Sequence, residues 1–137
     1  MFKLNSSLFL IFFLGFFVNF SQEINWISFE KAMEAQKTLP KNIIMDVYTN
    51  WCGPCKLMEK NTFQNKFIAG YINKHYYAVK FNGEGNEEIN FMGRKFENIR
   101  YDESKSQTRN SSHQFTQFLG INAYHGVTLG AASMTGK

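Results

Sequence analysis

Only two prolines occur among the 137 residues, Pro40 and Pro54, and only two cysteines, Cys52 and Cys55. So few cysteines, three positions apart, exclude a framework of several disulfides. The three histidines, His75, His113 and His125, show no metal-ligand spacing among themselves. His75 reads as a surface residue at a strand entry and His113 as an early helix residue. No basic block is present, because fifteen Lys and Arg are scattered among eleven acids for a formal charge of +4. A nucleic-acid partner or an anionic lipid surface therefore has no support. No internal repeat is found. The longest apolar run, Leu8 to Val18, is eleven residues, about 16 Å as a helix and roughly half a bilayer core.

That run lies behind a short segment with one charge, Lys3, and ahead of Asn19-Phe20-Ser21. The three-part pattern is that of a secretory signal, residues 1–21, cut between Ser21 and Gln22. An uncleaved N-terminal anchor is the alternative. Cleavage leaves 116 of the 137 residues, enough for one small domain over 22–137. It is also expected to place the cysteines in an oxidising compartment, with no stable membrane association afterwards.

Local patterns predict an alternating α/β order. Ser28 caps a helix over Phe29–Lys37, ended by Leu39-Pro40. Ile43–Tyr48 lacks clean alternation, as expected of a strand covered on both faces. Helix is favoured from Pro54 to about Lys60, with proline in the first turn, and again over Asn65–Asn73. Tyr76–Phe81 reads as a second strand, closed by the turn-forming Asn82–Asn86. Glu88–Phe91 and Lys95–Asn98 look like a small exposed hairpin around Met92-Gly93-Arg94. Arg100–Ser112 reads as polar loop, Ser112 as the cap of a helix through Leu119, and Gly126–Lys137 as a stretch without periodicity. Strand, helix, strand around the cysteines implies a parallel sheet flanked by helices.

Chemistry concentrates at Trp51-Cys52-Gly53-Pro54-Cys55-Lys56, where the first of these strands gives way to a helix. A thiolate, not a thiol, attacks a disulfide. Cys52 stands just before the helix, where unpaired N–H groups and the positive dipole end favour an anion. Cys55, one turn inside, is expected to be more buried and to resolve the mixed disulfide. Gly53 permits the bend and Pro54 stiffens it. Asp46, inward on the preceding strand, is expected to have a raised pKa and to exchange a proton with Cys55; the alternative is a solvated carboxylate at the strand edge. Trp51 flanks the sulfurs as an apolar wall or is an ordinary core residue. Lys56 and Lys60 read as a solvated helix face. A purely structural bridge is disfavoured, because closing so short a loop contributes only about 2 kcal/mol before strain, against about 3 for fifteen residues.

These residues resemble the thioredoxin active site, with Asp46 where that family carries its buried aspartate. The longer pattern, from Ile24-Asn25-Trp26 through Asp46-Val47-Tyr48 to Asn61-Thr62-Phe63, resembles exported thioredoxin-like proteins of Gram-negative bacteria, over roughly residues 24–124. The resemblance implies a thioredoxin-like α/β fold and a thiol–disulfide oxidoreductase, with Cys52 and Cys55 as its redox disulfide. It also implies protein disulfides as substrates and an upstream thiol as electron donor. No cofactor and no metal are expected. Gly-Pro between the cysteines is similar to the reducing members.

One departure is clear. His125 stands where the family carries a cis-proline, and only twelve residues follow it. The C-terminal strands and helix are thus expected to be missing or incomplete, leaving an open edge beside the catalytic strand. A frame shift or incomplete gene near residue 125 would account for this. Two alternative readings follow: a metal-binding module using Cys52, Cys55 and His125, and an inactive fragment that binds partners through its sheet edge.

Overall fold

The computed structural model describes residues 22–120 and 130–132. The expected signal peptide and His125 lie outside them. Among the described residues, no helix is long and apolar enough to cross a membrane.

A four-stranded sheet in the order β1-β3-β2-β6 forms the centre. Its strands are β1 (Trp26–Ile27), β2 (Asn42–Tyr48), β3 (Tyr76–Asn82) and β6 (Gly130–Ala132). β2 and β3 run parallel, with Ile43 opposite Tyr77 and Asp46 opposite Lys80. Parallel pairing demands a crossover. It is supplied by α2 (Gly53–Met58), a π-helical turn (Glu59–Phe63) and α3 (Lys66–His75). The remaining elements are α1 (Phe29–Thr38), the hairpin β4 (Ile89–Phe91) and β5 (Arg94–Phe96), a 3-10 turn (Glu103–Lys105) and α4 (Gln114–Phe118).

Local chemistry explains most boundaries. The Ser28 hydroxyl accepts the Lys31 N–H and starts α1, while the Asn65 side chain accepts from Phe67 and Ile68 at the start of α3. β2 has apolar neighbours on both faces, as its unbroken hydrophobicity requires. Ile43, Met45 and Val47 pack with Phe29, Phe81, Ile89, Phe96 and Phe115. Ile44 faces the other way, toward Phe63, Ala69, Ile72 and Ala78. Asp46 alternates with Met45 and Val47, so it shares the Ile44 face, under the crossover.

Four expectations need correction. The helix after the cysteines does not run evenly to Lys60; it widens into the π turn, which seats Phe63 in the core against Trp26 at 5.2 Å. The hairpin is not simply exposed: Ile89 and Phe96 are buried, and its turn is Met92-Gly93, both at positive φ, the geometry that matches strand twist in two-residue hairpins. His75, the last residue of α3, is exposed immediately before β3, as expected of a surface residue at a strand entry. His113, not Ser112, caps α4 through Phe115 N–H; it is fully buried, its Nε2 lies 2.7 Å from Glu87 O, and burial holds its pKa below the ordinary histidine value. Finally, the stretch read as lacking periodicity supplies β6, which pairs antiparallel with β2 from Ile43 to Met45, so the edge expected to be open beside the catalytic strand is covered there. Small residues without periodicity suffice, because three residues pairing through backbone alone need no alternating pattern.

Candidate active site

Cys52 and Cys55 form a disulfide with 5.4 Å between their Cα atoms. Cys52 is the N-cap of α2, in extended conformation, and its sulfur accepts the Cys55 N–H at 3.2 Å. Pro54 occupies the first turn, where a missing N–H costs nothing. The sulfur of Cys52 is thus the group that meets the unpaired amides at the helix start. The expected contrast in exposure is absent: Cys52 is 4% and Cys55 8% exposed. As the cap, Cys52 turns its sulfur back over the helix end and into the bridge, so both residues are covered in this oxidised form.

Asp46 lies behind the pair. It is 3% exposed, and its Oδ1 has no hydrogen-bond partner, which rules out the solvated strand-edge alternative. Burial raises its pKa above the ordinary aspartate value; the Lys80 charge opposes this and the Glu59 charge adds to it. A cavity of about 510 Å³ is lined by Asp46, Cys55, Lys56, Glu59, Lys80 and Gln107, among others. The buried Thr49 hydroxyl beside it is also without a partner. A buried carboxyl with an open oxygen, sharing a cavity with the inner cysteine, has the requirements of a proton acceptor.

The Asp46 environment has a thermodynamic signature. A carboxyl whose folded-state pKa exceeds its unfolded value of 3.8 contributes fully to stability below the unfolded value. That contribution is lost as pH rises through the folded value. Asp46→Asn, which carries no charge to desolvate, is therefore expected to be more stable than the parent at pH 7, by about 1.4 kcal/mol for each pH unit by which burial raises the Asp46 pKa. The advantage should vanish as pH falls toward 4. Thermal denaturation across this range checks it; a variant less stable than the parent at pH 7 would contradict the assignment.

Trp51 is neither a bare wall nor a core residue. It is half-buried, its Nε1 donates to Glu84 Oε2 at 2.7 Å, and the Arg109 guanidinium lies 4.7 Å from its ring centre. Glu84 Oε2 also accepts the Asn110 N–H at 2.9 Å, and Asn50 Nδ2 donates to Ser106 O at 2.6 Å. The loop after the hairpin is thereby fastened to both residues that precede Cys52. Within that loop, the Asn98 amide donates to Glu84 O, Gly85 O and Ser111 O. Gly53, Pro54, Lys56 and Lys60 are exposed.

Sequence reasoning singled out none of Glu59, Lys80, Glu84 and Gln107. A weak signal existed for Glu84, an acid between Gly83 and Gly85 in the turn leaving β3. Among the described residues, no group of three His, Cys, Asp or Glu is placed to hold a metal ion. The metal reading also needs His125, which lies outside them.

A parallel sheet flanked by helices, with a cysteine pair spanning a strand-to-helix junction, defines a thioredoxin-like protein with a redox-capable dithiol. The model of the family Thioredox_DsbH, described as a protein of unknown function, DUF255, matches residues 16–108. The chain belongs to this thioredoxin-like family. No curated protein matches it.

Proposed function

We propose that this chain is a thiol–disulfide oxidoreductase that reduces or isomerises protein disulfides in the cell envelope. Cys52 is the attacking thiol and Cys55 the resolving one. The observation that carries the reading is the Cys52–Cys55 disulfide at the start of α2, with the Cys52 sulfur on the Cys55 N–H and Asp46 buried behind it. In the reduced form, the Cys52 thiolate attacks a substrate disulfide, joins one substrate sulfur and expels the other as a thiolate. The Cys55 thiol then gives its proton to Asp46 and attacks Cys52. The substrate sulfur leaves, and the pair ends oxidised by two electrons. An upstream thiol donor restores the dithiol. The substrate chain lies extended beside Cys52, held in part by backbone hydrogen bonds.

Export is supported by the N-terminal pattern of Lys3, the apolar run Leu8–Val18 and the small residue Ser21. Its test is fractionation of cells producing the full chain, with N-terminal sequencing of the recovered protein; an intact Met1 in the cytosol would refute it.

For the chemistry, reduction of insulin by the prereduced protein is expected, and Cys52→Ser is expected to lower the rate to that of the small-thiol control. Activity surviving Cys52→Ser would end the assignment.

A further inference from the structure

Lys80 is the register partner of Asp46 across β2 and β3, and its charge is the one that favours the ionised form of Asp46. Partners in a parallel ladder project from the same face, so the ammonium is placed to close on the buried carboxyl. It closes on Glu59 instead. Two rings hold it there, with the ammonium 5.5 Å from the Trp26 ring centre and 5.4 Å from that of Tyr48. Glu59 is the first residue of the π-helical turn, an element often found at functional sites. About a third of its side chain is exposed, whereas Asp46 is sealed, so the ion pair forms toward the outside of the cavity that Asp46 shares with Cys55.

We infer that Glu59 is a positioning residue: its carboxylate keeps the Lys80 ammonium from closing on Asp46, leaving that carboxyl to take the proton of the Cys55 sulfur. The inference rests on the oxidoreductase reading and adds to it a residue four positions beyond the resolving cysteine. The groups facing Asp46 are Lys80 from β3, Glu59 from the π turn, Cys55 from α2 and Tyr48 from its own strand, with Lys56 on the cavity wall. Removing the Glu59 charge takes away one influence that makes the Asp46 carboxylate a stronger base and frees the cation that weakens it, so both effects have the same sign. Asp46 then becomes a weaker base, and the acid limb of the resolving step moves to lower pH.

The test follows the Asp46 carboxyl carbon by NMR through a pH titration of the full chain in its disulfide form. Glu59→Gln is expected to lower the Asp46 midpoint by about 1 pH unit, the lower end of what one opposite charge at contact imposes. Glu59→Asp should stay near the parent. In a Lys80→Met background, adding Glu59→Gln should move the midpoint much less. An unchanged or raised midpoint in Glu59→Gln would overturn the proposal, as would an equal drop without Lys80, which would show that Glu59 acts by its own charge. The titration needs no turnover, so its failure is separate from that of the oxidoreductase reading, which is tested by insulin reduction in Cys52→Ser.

Discussion

Cys55→Ser is expected to stop the protein after a single chemical step. The first attack, by Cys52, needs nothing from Cys55, so one substrate sulfur should be released for each protein molecule. The other should remain bonded to Cys52. Resolution then depends on thiols from solution, and here the loss is large. A well-oriented intramolecular group behaves as if present at about 10⁵ M or more, a concentration that millimolar external thiol cannot approach. Multiple turnover should therefore be undetectable, while a covalent adduct accumulates that dithiothreitol releases. Mass spectrometry of the non-reduced protein locates the adduct, and titration of released thiol gives its stoichiometry. Cys52→Ser should form none. Because both cysteines are similarly covered in the oxidised form, exposure does not decide the direction of attack. The cap position does, since it is the Cys52 sulfur that receives the Cys55 N–H. An adduct on Cys55, or sustained turnover by Cys55→Ser, would reverse the roles.

The parts of this site that were legible in the sequence are those fixed by short-range chemistry. The cysteine spacing, Pro54 in the first turn and the unbroken apolar run before them together specify a strand-to-helix junction. Ser28 caps the helix expected of it, and the helix expected from Asn65 begins there. The two expected strands, 43–48 and 76–81, are each one residue short of β2 and β3. Asp46 could be suspected from its place in that run, since a carboxyl among inward apolar residues is costly when ionised.

What was not legible depends on partners far along the chain. Trp51 and Glu84 are 33 residues apart, and Asn50 and Ser106 are 56 apart. No periodicity announces such a contact, because one polar side chain carries it and its neighbours are free to vary. The ladder that puts Lys80 opposite Asp46 is set by how far the crossover travels, and that distance includes a π turn that residue propensity does not reveal. His113 shows the same limit. It caps α4 and touches the Phe81 ring edge-on at 5.1 Å, yet histidine is not among the preferred caps, which made Ser112 the natural reading.

Phe115→Ala is expected to be the most destabilising substitution in the fold. Phe115 is fully buried at the meeting point of four elements: its ring centre lies 5.0 Å from that of Phe29 on α1, 5.7 Å from Phe81 on β3, 5.3 Å from Phe96 on β5, and 6.1 Å from Phe91 on β4. Truncating a buried phenylalanine costs about 3–5 kcal/mol, a large share of the roughly 5–15 that stabilise a domain. For a domain of this size the melting temperature should fall by on the order of 15 °C. Phe67→Ala, at a side chain 90% exposed, is the control and should stay within about 0.5 kcal/mol of the parent. The damage should also reach the active site, because Phe115 N–H is what the His113 side chain caps, and His113 N–H donates to Gly83 O beside Glu84. Loosening α4 therefore loosens the turn that holds the Trp51 indole, and Trp51 fluorescence should change before the main unfolding transition. A Phe115→Ala protein that melts within a few degrees of the parent would mean that the hairpin and α4 are dispensable to the core. An unchanged indole signal would mean that the turn after β3 holds its shape without them.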